Sequence, residues 1–157
     1  MGNKKNILWA DDEIDLLKPH ILYLENKGYQ VIAVRTGEDA IHFCNNRTVD
    51  LVLLDEMMTG LDGITTLKKI RENHLSIPVI MITKNEEEWL MDEAIAEQIT
   101  NYLTKPVNPS QILIACKNAL DYRQIQSNKI AKDYLQTFQE MENDIKNAKQ
   151  IEDWYKI

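Results

Sequence analysis

Acidic, hydroxyl and amino side chains directly follow the apolar runs of this sequence, at the points where predicted strands end. Asp11 and Asp12 come after the first run, Asp55 after the third, Thr83 after the fourth and Lys105 after the fifth. Three carboxylates in one crevice repel one another, so they require a cation or a shift in protonation. The donor atoms are all oxygens, with no His or Cys nearby in sequence. This favours a hard ion, Mg²⁺ first, with Mn²⁺ or Ca²⁺ as alternatives.

A carboxylate beside Mg²⁺, with a hydroxyl and an ammonium in the same pocket, is suited to phosphoryl transfer onto an aspartate. Asp55 would be the nucleophile, and Lys105 and the Thr83 hydroxyl would donate hydrogen bonds to phosphoryl oxygens. Each of these residues alone could equally be a strand-end cap or a surface charge. Their joint occurrence at four strand ends favours one shared site.

Continuous apolar runs of strand length alternate with segments of helical spacing. The runs are Ile7–Ala10, Val31–Val34, Leu51–Leu54, Ile77–Ile82 and, more weakly, Asn101–Leu103. Unbroken apolar strands that are each followed by an amphipathic helix predict a parallel sheet covered on both faces. Five such strands favour a doubly wound, flavodoxin-like α/β sheet, in which ligands bind at the carboxyl ends of the strands.

Several residues predict where helices begin and end. Gly28 stands where a left-handed helix stop is needed, and Pro109 suits a first helical turn. The stretches Thr36–Asp39 and Asn85–Glu88 resemble capping boxes. Pro19 lies inside a helical pattern, so we expect either a kink there or a helix that begins near it.

Charge and cysteine content exclude several classes of protein. A net charge of −7 argues against binding to nucleic acid or to an anionic membrane, because both need clustered Lys and Arg. Cys44 and Cys116 lie in apolar helical stretches and are predicted to be buried free thiols of a reducing compartment. The first apolar run is too short for a signal peptide or a membrane span, which favours a cytoplasmic protein.

The last part of the chain, residues 126–157, carries one apolar helical stripe. Its members are Ile130, Tyr134, Phe138, Met141, Ile145, Ala148 and Ile151. A stripe of this kind needs a partner surface, since an isolated helix is marginal in water. We interpret the segment as part of a truncated helical bundle that leads to a missing output domain, with self-association through the stripe as the alternative.

Five short motifs surround the candidate site residues: WADDE at Asp11, LLDEMM at Asp55, VIMITK at Thr83, NYL at Tyr102 and TKPVN at Lys105. With these motifs and their spacing, the sequence resembles the response-regulator receiver domains of two-component systems over roughly residues 5 to 125. The resemblance implies a CheY-like receiver domain in residues 1–125, followed by a helical extension in residues 126–157.

The resemblance also implies roles for the acids. Asp55 would be phosphorylated by a sensor histidine kinase. Asp12 and Asp55 would bind Mg²⁺ directly and Asp11 mainly through water. The backbone carbonyl of Met57 would complete the protein ligands.

Further roles follow from the same resemblance. Lys105 would contact the acyl phosphate, and its bond to Pro106 would be cis. Thr83 and Tyr102 would move together as the switch. Their movement would alter the face formed by the fourth helix, fifth strand and fifth helix, where a phosphorylation-dependent homodimer is expected.

Three longer stretches are similar to the PorX-type regulators of Bacteroidetes, which are associated with type IX secretion. These stretches are MGNKKNILWADDEIDLLKPHI, MITKNEEE and KPVNP. In that family a receiver precedes a small helical bundle and a PglZ domain of the alkaline phosphatase superfamily. The similarity implies that any phosphatase-type output domain lies outside this chain. The chain itself would then perform only self-phosphorylation and autodephosphorylation.

Two residues depart from the receiver pattern. Thr59 replaces the proline usual in the turn after the phosphoacceptor. We expect a cost of about 0.4–1 kcal/mol, through the freer unfolded chain alone. Lys84 replaces the small residue usual after Thr83, and a bulky cation there could slow the access of water or a phosphatase.

Two other functions are open. An aspartate-nucleophile phosphatase of the haloacid dehalogenase type would also use Asp and Mg²⁺, but it requires a second Asp where Met57 stands. A silent receiver that binds partners without phosphorylation would keep the fold and lose the chemistry. Absence of a GxGxxG motif argues against dinucleotide binding.

Overall fold

The computed structural model of this protein describes residues 3–84 and 93–155, which form five strands in alternation with helices. The strands are β1 (Asn6–Ala10), β2 (Gln30–Val34), β3 (Leu51–Asp55), β4 (Val79–Thr83) and β5 (Asn101–Thr104). The helices are a 3₁₀ turn (Ile14–Leu17), α1 (Lys18–Asn26), α2 (Gly37–Asn46), α3 (Gly63–Asn73), α4 (Glu93–Ala96) and α5 (Pro109–Tyr155). The strands therefore lie where the apolar runs predicted them.

All five strands pair in parallel, in the order β2-β1-β3-β4-β5. This confirms the doubly wound sheet of flavodoxin-like order. The chain reverses its direction of winding between β1 and β3, so the crevice for a ligand opens at the carboxyl ends of these two strands. Every residue of β3 and β4 is buried.

Alternate residues of the central strands enter two separate cores. Leu8, Ala10, Val52, Leu54, Val79 and Met81 pack with residues of α2 and α3, including Cys44, Leu67 and Ile70. Ile7, Trp9, Leu51, Leu53, Ile80 and Ile82 pack with residues of α1 and α5, including Leu24, Ile112 and Cys116. This period of two is the geometry of a strand buried on both faces. It explains why the strands have no polar alternation.

Most of the predicted helix boundaries are confirmed. Pro19 occupies the second position of α1, so the helix begins beside it instead of kinking. Gly28 adopts a φ of 98° just after α1. The Thr36 hydroxyl accepts a hydrogen bond of 3.1 Å from the Asp39 N–H at the start of α2. Helix α5 begins at Pro109.

The second predicted capping box, Asn85–Glu88, lies outside the described residues. Both cysteines are buried free thiols, as predicted. Burial raises the pKa of Cys44 to about 11 and that of Cys116 to about 12. Neither thiol is therefore suited to act as a thiolate nucleophile near neutral pH.

The chain divides into two compact units, Met1–Leu120 and Asp121–Ile157. In the second unit the described residues are helical, and these large apolar side chains, from the part that the structure describes, are exposed: Tyr122, Ile125, Ile130, Tyr134, Leu135, Phe138, Met141 and Ile145. The helical extension is confirmed, while the boundary at residue 125 and the truncated bundle stay predictions. Within the part of the chain that the structure describes, no helix has both the length and the apolar character needed to cross a bilayer.

Candidate functional site

The three acids converge where β1 and β3 end. Asp11, Asp12 and Asp55 each offer a carboxylate oxygen, and these oxygens lie within 4.8 Å of one another. Asp11 and Asp55 are each only 2% exposed, whereas Asp12 is half-buried. Two buried carboxylates at this distance are unfavourable without compensating positive charge.

Lys105 supplies part of that charge. Its Nζ lies 3.1 Å from Asp55 Oδ1 and 3.6 Å from Asp11 Oδ2. The Lys105 backbone N–H donates to the Thr83 carbonyl at 2.8 Å, which continues the β4–β5 pairing and fixes the lysine at the edge of the crevice. The Lys105–Pro106 peptide bond is cis, as expected.

The ionisation of Asp55 reflects this environment. Burial and, next, repulsion from Asp11 raise the pKa of the Asp55 carboxyl to about 6, although Lys105 and the Met57 N–H oppose the rise. Burial lowers the pKa of Lys105, but the attraction of Asp55 and Asp11 outweighs it, so the pKa of Lys105 lies above its ordinary value. The lysine therefore remains an ammonium at neutral pH.

Asp55 is held in place by the start of α3. The Gly63 N–H donates to the Glu56 carbonyl at 2.8 Å. A Cβ added at Gly63 would lie 2.4 Å from the Asp55 carbonyl oxygen. Gly60, the other turn glycine, adopts a φ of 84° that only glycine readily allows. Gly63, in contrast, is required by close packing and not by its φ.

Thr83 is fully buried at the end of β4, and its hydroxyl donates to the Glu56 carboxylate. Glu56 reaches this position because its backbone N–H donates to the Ile82 carbonyl at 3.0 Å. The sequence analysis missed Glu56. Its place directly after Asp55, at the end of the strand beside β4, was the signal in the sequence that could have identified it.

Thr59 also contacts the acid cluster. Its backbone N–H and its hydroxyl each donate to Asp12 Oδ2 at 3.2 Å. The sequence analysis assigned Thr59 an effect through the unfolded chain only, so that expectation is incomplete. A threonine in place of proline adds two hydrogen-bond donors, which the sequence shows. The sequence does not show that both donors reach Asp12.

Tyr102 and Met57 are the remaining residues that the sequence analysis assigned to the site. Tyr102, on β5, is half-buried and packs against the core that contains Met81, its partner in strand register. Met57 is 70% exposed, and its N–H donates to Asp55 Oδ1 at 3.4 Å. The role of the Met57 carbonyl as a ligand and that of Tyr102 in switching stay predictions.

A cleft of about 610 Å³ opens beside the acids. Its lining includes Trp9, Leu16, Ile82 and Val107, with Asp11, Lys84 and Lys105 among its charged residues. Lys84 is exposed. Lys84 therefore lines the same cleft as Asp11 and Lys105.

The donor set fits a divalent cation. The three carboxylates are hard oxygen donors, which suit Mg²⁺ better than a metal that prefers thiolate or imidazole ligands. Asp11 and Asp55 share one ammonium, so a net negative charge remains in the crevice. A bound cation would neutralise that excess charge.

Comparison with known proteins identifies the family. The model of the response regulator receiver domain matches residues 7–117. The alkaline phosphatase synthesis transcriptional regulatory protein PhoP of Bacillus subtilis is 34% identical over 110 residues, which cover 69% of this chain and 45% of PhoP. The regulatory protein VanR of Enterococcus faecium is 32% identical over 114 residues, covering 73% and 49% of the two chains.

Solved structures agree with this similarity. A CheY-like response regulator receiver domain from Methanospirillum hungatei superposes with a TM-score of 0.73 at 26% identity, covering 79% of this chain and 99% of that one. The chain therefore belongs to the response regulator receiver family. It spans about half the length of the curated relatives that it matches. Membership in this family argues against the haloacid dehalogenase alternative.

Proposed function

We propose that this protein is a phosphorylation-activated receiver, in which Asp55 accepts a phosphoryl group from a sensor histidine kinase in a Mg²⁺-dependent reaction. The observation that carries the proposal is the Lys105 ammonium 3.1 Å from a buried Asp55 carboxylate, inside a cluster of three acids. Response regulators of two-component systems receive their phosphoryl groups from such kinases, and this chain belongs to their receiver family.

We propose roles for these residues from the resemblance to receiver domains. Asp12, Asp55 and the Met57 carbonyl would bind Mg²⁺ directly, and Asp11 would bind it mainly through water. The cation would offset negative charge on the phosphoryl oxygens. An Asp55 oxygen attacks phosphorus, the bond from phosphorus to the histidine nitrogen of the donor breaks, and the imidazole leaves. Lys105 donates to a phosphoryl oxygen in place of part of its contact with Asp55.

Switching would begin at Thr83. Its hydroxyl donates to Glu56 in the unphosphorylated protein, and it would exchange that acceptor for a phosphoryl oxygen on Asp55. Tyr102 would then move into the space vacated near Thr83. We expect the face formed by α4, β5 and the first turns of α5 to change and to favour a homodimer.

The decisive experiment is phosphorylation by acetyl phosphate with Mg²⁺. Intact-mass spectrometry should detect one base-labile phosphoryl group per chain, and the Asp55→Asn variant should acquire none. Asp144→Asn, which makes the same chemical change at an exposed position of α5, should be phosphorylated like the parent. A parent protein that forms no adduct would instead be a silent receiver that acts as an interaction module.

We further propose a cytoplasmic location and a role in regulating type IX secretion. The support is the similarity of the sequence stretches around the first strand, Thr83 and Lys105 to PorX-type regulators, together with membership in the receiver family. Deletion of the gene from its host, followed by measurement of type IX cargo outside the cell, tests this role. Unchanged secretion would contradict it.

Lys84→Ala is expected to shorten the lifetime of the phosphorylated protein. The exposed Lys84 side chain lines the cleft beside Asp11 and Lys105, where it can obstruct water that approaches the acyl phosphate. The decay of the phosphorylated form, followed by mass spectrometry after removal of acetyl phosphate, should be several-fold faster than in the parent. Lys84→Met retains the bulk of the side chain and removes its charge. A lifetime like that of the parent in Lys84→Met would therefore assign the effect to obstruction and not to the charge. Decay at the parent rate in Lys84→Ala would refute the role.

A further inference from the structure

The loop after β3 is joined to the loop after β1 by a contact between Thr59 and Asp12. Two donors of Thr59, the N–H and the hydroxyl, converge on Asp12 Oδ2 at 3.2 Å each. The two residues are 47 positions apart, so the contact is tertiary and not an accident of local turn geometry. We propose that Thr59 is a positioning residue that holds Asp12 in the arrangement required for binding a divalent cation. The inference rests on the proposed function, because the cation is the one proposed for the acid cluster.

Asp12 is the carboxylate that most needs such support. Asp11 and Asp55 are buried, and both lie within ion-pair distance of Lys105. Asp12 is half-buried, and no ion pair joins it to Lys105 among the described residues. Repulsion from the two buried carboxylates therefore favours rotation of Asp12 toward water. The two donors of Thr59 oppose that rotation and keep a carboxylate oxygen of Asp12 within 4.8 Å of the other two acids.

The geometry of the contact leaves an oxygen for the cation. Both donors use Oδ2, and for Asp12 Oδ1 the described residues provide no hydrogen-bond donor. Metal-binding carboxylates are generally held by hydrogen bonds to their other oxygen, and loss of such a partner typically weakens metal affinity 10- to 100-fold. A carboxylate that is already oriented also loses less conformational freedom when the metal binds.

The effect is specific to the side chain that this sequence carries. Proline, the residue usual at this place in the family that the sequence resembles, has no N–H and no hydroxyl, so it could make neither contact. Thr59 is exposed, and its hydrogen bonds compete with water. We therefore expect an effect at or below the low end of the 10- to 100-fold range.

Direct metal binding tests the inference. Mn²⁺ binding is measured from the electron paramagnetic resonance signal of the free ion, with Mg²⁺ as competitor. Thr59→Val removes the hydroxyl and keeps the N–H, and should weaken binding of both ions by about 3- to 10-fold. Thr59→Pro removes both donors and should weaken it at least as much. Thr59→Ser retains both donors and should bind like the parent.

A kinetic readout separates positioning from a general structural defect. In Thr59→Val the Mg²⁺ concentration for half-maximal phosphorylation by acetyl phosphate should rise by the same factor as the dissociation constant. The rate at saturating Mg²⁺ should stay at the parent value. Thr48→Val, at the opposite end of β3, makes the same change at an exposed threonine and should alter neither quantity. Thr59→Ala replaces Thr59→Val as the test if the valine variant melts early without metal.

The outcomes distinguish this inference from the function on which it rests. Binding of Mn²⁺ and Mg²⁺ by the parent with the same or higher affinity in Thr59→Val contradicts the inference alone. Failure of the parent to bind either ion contradicts the proposed cation site and the inference together. Weaker binding in Thr59→Val with unchanged binding in Thr59→Ser and Thr48→Val supports both.

Discussion

Asp55→Asn is expected to be more stable than the parent protein at neutral pH when no divalent cation is present. Burial and repulsion from Asp11 raise the pKa of Asp55 from 3.8 to about 6, so the ionised carboxylate is unfavourable in the folded state. That shift corresponds to a difference of up to about 3 kcal/mol in the free energy of unfolding. An amide of similar shape does not ionise and avoids this cost.

The sign of the pH dependence follows from the direction of the shift. A carboxyl group with a raised pKa in the folded state contributes stability below its unfolded pKa and loses that contribution as pH rises through the folded value. The advantage of Asp55→Asn should therefore be absent near pH 4 and complete above about pH 6. Chemical denaturation across this range measures it. Mg²⁺ should narrow the difference, because it stabilises the parent through binding to the folded state.

Asp144→Asn is the matched control, because it removes a charge from an exposed helical position. It should change stability little at any of these pH values. Lower stability of Asp55→Asn at neutral pH, or an advantage that grows toward acid, would show that the carboxylate is not destabilising in the folded protein.

Lys105→Ala is expected to damage both phosphorylation and stability. It removes the ammonium 3.1 Å from Asp55 and 3.6 Å from Asp11, which leaves the carboxylates with less compensating charge. We expect a decrease of about 100-fold in the rate of phosphorylation by acetyl phosphate, because a fixed donor to the transferred group is lost. We expect the free energy of unfolding to fall by about 1–3 kcal/mol, less than for a fully buried pair because the lysine is partly exposed.

A double-mutant cycle makes this prediction specific. In the Asp55→Asn background Lys105→Ala should cost much less stability, since one of the two carboxylates that it neutralises is already gone. Lys84→Ala removes an exposed cation from the same cleft and should leave the phosphorylation rate within a few-fold of the parent. Equal costs of Lys105→Ala in both backgrounds would mean that its contact with Asp55 carries no coupling energy.

The sequence predicted the sheet and the acid cluster because both depend on local patterns. Apolar runs mark the buried strands, and the residue after each run necessarily lies at the same edge of a parallel sheet. Asp11, Asp12, Asp55 and Lys105 therefore came together as expected.

Local sequence patterns did not predict the contacts made by loop residues. Which way Glu56 and Thr59 point depends on the path of the chain after β3, and on the neighbouring loops that happen to offer an acceptor or a donor. The close packing of Gly63 on the Asp55 carbonyl likewise needs the position of α3 relative to β3. From sequence alone, a glycine in a turn is more readily interpreted as a residue with positive φ than as one whose lack of a Cβ allows close packing.

The complete burial of β3 and the packing of Gly63 against its last peptide mean that Asp55 has no room to shift. The proposed phosphoacceptor, Asp55, is therefore fixed in position, and we expect a donor protein to adjust to it. The choice of one phosphoryl donor over another would then depend on residues of the surrounding loops. We expect exchanges in those loops to change which donor the protein accepts, while the proposed chemistry at Asp55 stays the same.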